Sequence, residues 1–394
     1  MKYLVFLFIG TYLVSAQNDL HLDENTYQVA TLNETVFTSL MEKQILESQF
    51  IFVGEQHGIK EVGEIANALF DLAYPKGYTT LCIETDALLA QKLKQIASSE
   101  EPLQAAEKLS NAFPFAIPFY NTKNDYTLFK NVIDKGGELW GIDQTFMAQF
   151  RLNFDHLIQT TENTAFKEKL IPLKQRAMAA YKESIDTKNF DKMFWQTYDE
   201  ATHQELLALS DNPEEKEILT QLWKTKEIYG YNNDKRYYLN NQVRGQLMKD
   251  NFNSYYKKEL KQVEIPKVIF KLGATHATRG LSMTNIYDIS NYAAELAHFN
   301  NKKSLHFMVA GITGNAMVGN PFAENPIAPF DNTEQLPKEL QELVPTFTKK
   351  YTLVHLQPLR EYAYGKKYSE ALKKFIFNFD FLVLVKDAQA LTPF

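Results

Sequence analysis

Short apolar runs alternate with amphipathic segments along the first 150 residues of the chain. The runs "FIFVG", "TTLCIE" and "GELWGID" each have the length and the ending of a buried strand. Apolar residues at helical spacing between Val62 and Ala73, and the segments "NETVFTSLMEKQILESQ" and "DALLAQKLKQIASS", predict helices before and between these strands. Strands that alternate with helices at this interval predict α/β units around a largely parallel sheet.

The pattern changes between residues 153 and 261. Long charged segments there, such as "AFKEKLIPLKQRAMAAYKESI", have helical spacing, and no strand candidate lies between them. The strand candidates "KVIFKLG", "SLHFMVAGI", "YTLVHLQ" and "FDFLVLVK" follow, and the Pro- and Asn-rich segment "GNPFAENPIAPFDNTEQLP" is predicted to be a loop. We therefore predict an α/β fold: a largely parallel sheet flanked by helices, with a long all-helical insertion.

The N-terminus has the pattern of a secretory signal peptide. Lys2 precedes an apolar run from Tyr3 to Val14, and small residues follow at Ser15 and Ala16. The run is too short for a membrane span, and a buried strand or helix is the alternative. We expect cleavage near Ala16–Gln17 and an exported protein, periplasmic or secreted. The predicted parts are a signal peptide (1–16), a first α/β half (17–152), a helical cap or insertion (153–261) and a second α/β half (262–394).

Composition narrows the range of partners. The 394 residues are 45% hydrophobic and 23% charged with a net charge of −6, and no strong cluster of Lys and Arg indicates a nucleic-acid surface. A small-molecule or peptide substrate fits this composition, whereas nucleic acid and a membrane span do not. The single cysteine, Cys82, excludes an internal disulfide and lies in an apolar strand, where we expect it to pack as a small apolar side chain. The oligomeric state is left open.

Polar residues follow four of the predicted strands. Because the carboxyl ends of parallel strands lie at one edge of a sheet, we expect at least three of these groups to share a cleft. The groups are Glu55 and His57 after "FIFVG", Glu84 and Asp86 after "LCI", Asp143 after "LWGI", and His276 after "KLGAT".

Two of these strand ends carry the same motif. "VGEQHG" and "LGATHA" both read aliphatic, Gly, two residues, His, small. The glycine permits close approach of another group, so the pair predicts that His57 and His276 meet in one cleft. Histidine titrates near neutral pH and is the commonest metal ligand, whereas the other six histidines are expected to be structural or exposed.

Two kinds of hydrolytic site fit these residues. In one, His57 with Glu55 or Glu84 activates a water molecule as a general base. In the other, His57, Glu84 and His276 bind a divalent metal ion and leave positions open for water. A nucleophilic serine is less attractive, because the sequence has no G-x-S-x-G elbow.

A helical segment supplies a candidate for substrate binding. "RYYLNNQVRGQLMKDNF" places Arg244, Met248 and Asn251 on one face of a helix. Arg244 either reaches the site, where it would bind an anionic group or stabilise developing negative charge, or pairs with a neighbouring acid at the surface. Asp86 and Asp143 complete the predicted substrate-binding set.

The motifs "VGEQHG", "CIETD", "LWGID" and "KLGATHA" together resemble the erythromycin esterase / ChaN / Tiki superfamily. The resemblance covers most of the chain after residue 16, in order, and implies that Glu55, His57, Glu84 and His276 are the functional set, with Arg244 as a further member. Members of this group open macrolide lactones, act as metal-dependent proteases, or bind haem. One residue separates Glu55 from His57, as in ChaN, where esterase-like members usually have two.

The resemblance and the strand-end residues together predict an exported hydrolase that cleaves an ester, lactone or amide with activated water. The alternative is a ChaN-like protein that binds haem or iron without turnover. No cofactor is required by the residues themselves: a divalent metal ion belongs to one hydrolytic scheme, and haem belongs to the alternative.

Overall fold

A computed structural model describes residues 21–365 and 368–394. The predicted signal peptide and its cleavage site lie outside the described residues. The strands, in chain order, are β1 (Thr26–Val29), β2 (Ser48–Glu55), β3 (Thr80–Ile83), β4 (Glu138–Gly141), β5 (Val268–Gly273), β6 (Lys303–Gly311), β7 (Thr313–Met317), β8 (Ile327–Asp331), β9 (Tyr351–His355) and β10 (Phe381–Val385).

The helices of the described residues surround these strands. None of them is both long enough and apolar enough to cross a membrane. Their bounds are α1 (Thr35–Glu47), α2 (Lys60–Ala73), α3 (Ala87–Ala97), α4 (Pro102–Ala112), α5 (Asp125–Asp134), α6 (Phe150–Thr160), α7 (Thr164–Asp186), α8 (Glu200–Leu209), α9 (Pro213–Asn233), α10 (Tyr237–Glu259), α11 (Ile289–Phe299), α12 (Lys338–Leu343) and α13 (Glu370–Asn378).

In the described part of the chain, eight strands form one sheet in the order β1-β9-β10-β6-β2-β5-β3-β4. Every pair from β10 to β4 is parallel, and β9 is antiparallel to both of its neighbours. The predicted α/β fold with a largely parallel sheet is confirmed. The strands β2, β5, β3 and β4, which carry the predicted site residues, are consecutive in the sheet.

Helices cover both faces of the sheet, so its central strands are apolar on both sides. In β2, Ile51 and Val53 face a core shared with α1, α2, α3 and α5. Phe50 and Phe52 face the opposite core, where side chains from α10, α11 and α13 pack. Cys82 is buried in this second core, as predicted. Burial on both faces fixes the register, and the register fixes which residues reach the strand ends.

The long helical segment between β4 and β5 divides into two environments. Helices α6 to α9 share a core of their own, built on Phe150, Phe154 and Phe166. Helix α10 instead packs against the sheet through Met248 and Phe252. The predicted all-helical insertion is thus present, and its last helix is the one that carries Arg244. The predicted domain boundaries stay a prediction, because separate cores do not by themselves show separate folding units.

The segment predicted as a loop, 319–337, contains a strand. β8 pairs antiparallel with β7 to form a two-stranded ribbon outside the main sheet, with Asn315 opposite Pro329. The loop prediction was wrong at β8 because its prolines and exposed positions are typical of turns. A two-stranded ribbon has two edges, and an edge strand tolerates a proline that donates no hydrogen bond.

Candidate active site

A cavity of about 440 Å³ opens at the carboxyl ends of β2, β5 and β3. Parallel strands bring their following residues to this edge, as the sequence predicts. Of the predicted site residues, the cavity is lined by Glu55, His57, Glu84, Arg244 and His276. The clustering of side chains from three strand ends and one helix makes this cavity the candidate active site.

The first imidazole, His57, is held by a buried carboxylate. Its Nδ1 atom lies 3.2 Å from Oε1 of Glu55, and its side chain is 40% exposed to the cavity. Glu55 accepts a hydrogen bond of 2.8 Å from Lys271, which is itself buried in β5. Burial would raise the pKa of Glu55, but Lys271 and His57 lower it to about 2. The ionised Glu55 in turn raises the pKa of His57, against the effect of burial.

The second imidazole, His276, is held by a different acid. Its Nδ1 atom lies 2.7 Å from Oδ2 of Asp288, a fully buried residue that also caps α11. Its Nε2 atom lies 3.5 Å from Oε1 of Glu84. Burial and Arg244 would lower the pKa of His276, but Glu84 and Asp288 raise it above the usual value. Each imidazole therefore has its Nδ1 atom beside a carboxylate, and Nε2 of His276 lies near Glu84.

Arg244 joins two strand ends at the wall of the cavity. Its Nε and Nη2 atoms donate to the two carboxylate oxygens of Asp143, and Nη2 also donates to Glu84 over 2.8 Å. Burial would raise the pKa of Asp143, but the guanidinium lowers it. Arg244 both reaches the site and pairs with acids, so the two sequence-based alternatives coincide. Asn251, on the same helix face, donates to the carbonyl oxygen of Ile142 and anchors the helix to β4.

Asp86 lies apart from the cavity. It caps α3 by accepting from the backbone N–H of Leu89, and it accepts from the side chain of Gln149. Burial raises its pKa to about 6. The structure gives Asp86 a position at a helix N-terminus rather than a wall of the candidate site, and Asp143 acts on the site through Arg244.

Three contributors to the site were not identified from the sequence. Lys271 lies within an apolar strand, and Phe119 lies in a loop. Asp288 lies directly before a helix, where an acid is expected simply as an N-cap. The ring of Phe119 stacks on His57 with 4.2 Å between centroids and 14° between planes. A lone lysine inside the run "KVIFKLG" is the one signal that could have been used, because a buried lysine needs a buried acid.

The glycine of the second motif sets the spacing of the site. Gly273 pairs with Glu55 across β5 and β2, and its backbone N–H donates to Glu84 over 2.6 Å. A Cβ atom at Gly273 would lie 2.9 Å from Nε2 of His57 and 3.2 Å from Oε2 of Glu84. A side chain at this position would therefore force the imidazole of His57 to shift.

We expect Gly273→Ala to displace His57 and to lower kcat of any hydrolytic activity by about ten- to a hundredfold, as misplacement by about 1 Å does elsewhere. The clash is with side-chain atoms at the cavity, so the thermal unfolding midpoint should change little. Gly230→Ala, at a half-buried helix position with open space around a Cβ atom, is the matched control. Unchanged kcat in Gly273→Ala would show that the spacing of His57 and Glu84 does not matter.

The proposed metal ligands are not arranged as a metal site. Among the described residues, no group of three or more histidine, cysteine, aspartate or glutamate side chains could hold a metal ion. One oxygen of Glu84 accepts from the guanidinium of Arg244 and the other from the N–H of Gly273. A cation at this carboxylate would meet the charge of Arg244, so His57, Glu84 and His276 do not fit a divalent metal in this arrangement.

The fold and the paired histidines define an α/β protein with a cavity at the carboxyl ends of β2, β5 and β3, lined largely by charged and polar residues. The chain matches no protein-family model and no curated protein. Comparison with solved structures identifies the fold. An erythromycin esterase, a mutant of EreC in its open conformation, superposes with a TM-score of 0.60 at 13% identity, over 92% of this chain and 98% of that chain.

Two further solved structures are similar over nearly their whole length. A protein from Bacillus cereus has a TM-score of 0.60 at 15% identity, over 95% of this chain and 97% of the other. A succinoglycan biosynthesis protein has a TM-score of 0.58 at 13% identity, over 93% and 95% of the two chains. The chain therefore has the erythromycin esterase-like fold, as the resemblance in the motifs implied. At these identities the likeness shows the fold and not the reaction.

Proposed function

We propose that the protein is a hydrolase that cleaves an ester, lactone or amide with a water molecule activated by His57. The observation that supports this most directly is the fixed orientation of the two imidazoles. Nδ1 of His57 lies 3.2 Å from Glu55 and Nδ1 of His276 lies 2.7 Å from Asp288, and both imidazoles line the cavity. An imidazole with its tautomer set by a carboxylate is the usual general base for water.

The proposed reaction uses the residues as follows. Nε2 of His57 takes a proton from water while the water oxygen bonds to the carbonyl carbon of the substrate. His276, protonated and paired with Asp288, donates a hydrogen bond to the oxygen that becomes negative. The bond between the carbonyl carbon and the leaving oxygen or nitrogen then breaks, and the leaving group takes the proton from His57. The products are a carboxylic acid and an alcohol or amine.

Arg244 contributes positive charge to the same intermediate. Its Nε and Nη2 atoms are bonded to Asp143 and Glu84, and this pairing fixes the plane of the guanidinium at the cavity wall. In this proposal the charge of Arg244 lowers the energy of the oxyanion without a rearrangement during the reaction. Glu84 keeps Arg244 and His276 in position.

The first experiment is an assay of the purified protein with p-nitrophenyl acetate, a γ-lactone and an anilide. Hydrolysis that Glu84→Gln and His276→Asn reduce would support the proposal. Hydrolysis that both variants retain at the wild-type rate would show that the activity does not come from this cavity. If no substrate in a broader panel is hydrolysed, the result contradicts the proposed activity.

The proposed base makes the pH dependence predictable. His57 must lose its proton to act. Burial lowers its pKa, but Glu55 raises it more, so the pKa lies above the usual value of 6.5. We therefore expect kcat/KM to rise with pH with a midpoint above 6.5, and to fall again where His276 loses the proton that it needs. Glu55→Gln should move the midpoint to lower pH, because a neutral amide does not favour the imidazolium form. A midpoint below 6.5 in the wild type, or no movement in Glu55→Gln, would contradict this role.

We also propose that the protein is exported, which would make it periplasmic or secreted. The support is the signal-peptide pattern of residues 1–16. N-terminal sequencing of the protein after expression in its host should find Gln17 as the first residue, and an intact Met1 would contradict export by this route.

The haem-binding alternative stays a prediction, and a Soret band on addition of haemin that His57→Ala abolishes would favour it.

A further inference from the structure

A second, apolar cavity adjoins the candidate active site. It has a volume of about 350 Å³, and Phe119 lines both cavities. We refer to it as the apolar cleft, and its walls come from residues 114, 115, 117–119, 121, 317–321 and 326 and from Phe146, Tyr181 and Pro393. Aromatic, aliphatic and proline side chains make up most of the lining. No charged residue belongs to the lining in the described part of the chain.

The backbone beside this cleft is strained at two phenylalanines. Phe115 has φ of 62° and Phe119 has φ of 61°, in the left-handed region that glycine prefers. Each follows a proline and is held by a tight turn: Ala116 donates to the carbonyl of Phe113, and Tyr120 donates to the carbonyl of Pro118. The second is a three-residue turn with positive φ at its centre, which is a rare and strained form.

Both strained phenylalanines pack against a hydrophobic core with side chains that are only partly buried. Phe113 and Tyr120, next to them, are buried, whereas the rings of Phe115 and Phe119 are only half-buried. Phe119 presents one face to His57, and Phe115 meets Phe146 edge-on at 5.0 Å between centroids. Strained non-glycine residues that surround a cavity are characteristic of ligand clamps. The two turns place the ring of Phe119 between His57 and the apolar cleft, and the ring of Phe115 in the wall of the cleft.

We infer that the apolar cleft is a subsite for an uncharged hydrocarbon ring group of the substrate. This inference rests on the proposed function, since it places the ring group beside the bond that His57 would attack. A dry cavity of about 150 Å³ binds benzene, so a volume of about 350 Å³ has room for a group of two fused rings. The absence of charged residues from the described lining disfavours a carboxylate or ammonium group there. The substrate class is therefore an ester, lactone or amide that carries a cyclic, apolar substituent next to the scissile bond.

The subsite can be tested by binding, without turnover. Calorimetry would measure the affinity of 2-naphthylacetamide, with acetamide as the ligand that lacks the ring group. Phe119→Gly removes one ring while it suits the positive φ of the backbone, and Val318→Asp adds a charge at a cleft residue that is 37% exposed. Phe299→Ala, at an exposed phenylalanine outside the cleft, is the matched control. The thermal unfolding midpoint of each variant shows whether it is folded.

We expect naphthylacetamide to bind more tightly than acetamide, and each cleft variant to weaken its binding by on the order of tenfold, the size expected for the loss of an aromatic contact in a desolvated site. Phe299→Ala should bind as the wild type does. Wild-type affinity in both folded cleft variants, or equal affinity for the two amides in the wild type, would overturn the subsite.

A kinetic comparison separates failure of the subsite from failure of the proposed function. The ratio of kcat/KM for methyl 2-naphthylacetate to that for methyl acetate should exceed about ten in the wild type and fall in Val318→Asp. Hydrolysis with the same ratio in both proteins would overturn the subsite and leave the proposed hydrolase intact. Tight, cleft-dependent binding of naphthylacetamide without any hydrolysis would support the subsite and contradict the hydrolase.

Discussion

His57→Asn is expected to lower kcat/KM for hydrolysis by about 10² to 10⁴-fold, the usual contribution of a positioned general base. Asparagine keeps a polar side chain beside Glu55 but has no nitrogen that accepts a proton from water. The side chain of His57 is 40% exposed, so its replacement leaves no cavity in the core, and the thermal unfolding midpoint should change little. Initial rates with the best ester of the panel, at a pH above the midpoint of the wild-type profile, provide the measurement.

The control for this prediction is His298→Asn, which changes an exposed histidine on α11. It should retain the wild-type rate. His276→Asn gives the discriminating comparison, because the two imidazoles have similar surroundings. If His276→Asn abolishes hydrolysis and His57→Asn retains more than half of it, then the base is His276 and the assignment of the two roles is reversed.

The sheet and most of the site could be predicted from the sequence because burial on both faces has a simple pattern. Strands β2, β3 and β5 are apolar runs, and each is followed within three residues by an acid or a histidine. Once the strands are parallel, these groups must meet at one edge. The meeting of Glu55, Glu84 and His276 therefore needed no knowledge of individual contacts.

The remaining contributors depend on contacts between residues far apart in the chain. Lys271 is adjacent to Glu55 only because β5 pairs with β2, and its charge is hidden within an apolar run. Asp288 follows His276 by twelve residues across an irregular loop, and its sequence context is that of an ordinary helix cap. The positive φ of Phe119 could not be predicted from its residue type, since phenylalanine rarely adopts positive φ.

Lys271→Met is expected to destabilise the protein by about 3–5 kcal/mol, the usual effect of removing one partner from a buried ion pair. Lys271 is 3% exposed, donates to Glu55, and lies 3.8 Å from Asp125. Methionine fills nearly the same space but removes the lysine charge from two buried carboxyl groups, so that Glu55 keeps only His57 as a cationic neighbour. Urea unfolding followed by circular dichroism would measure the loss as a lower midpoint, and Lys108→Met, at an exposed position of α4, is the control.

The sign of the pH dependence tests the cause of this loss. In the wild type the folded-state pKa of Glu55 is lowered to about 2, so its contribution to stability is present above its usual pKa of 4.5 and is lost as pH falls toward 2. Without Lys271 that pKa rises, because His57 is then the cation that remains to oppose the effect of burial. The deficit of Lys271→Met relative to the wild type should therefore be larger at about pH 8 than at about pH 3, where Glu55 of the variant takes up a proton more readily than Glu55 of the wild type.

The double variant Lys271→Met/Glu55→Gln distinguishes a charge effect from a packing effect. Glutamine removes the buried negative charge, so the double variant should be more stable than Lys271→Met alone, although Glu55→Gln by itself removes a bonded partner from Lys271. Additive losses in the two single variants would mean that Lys271 acts through its volume. Because Glu55 also holds His57, the recovered stability should not bring back hydrolysis at its wild-type pH dependence.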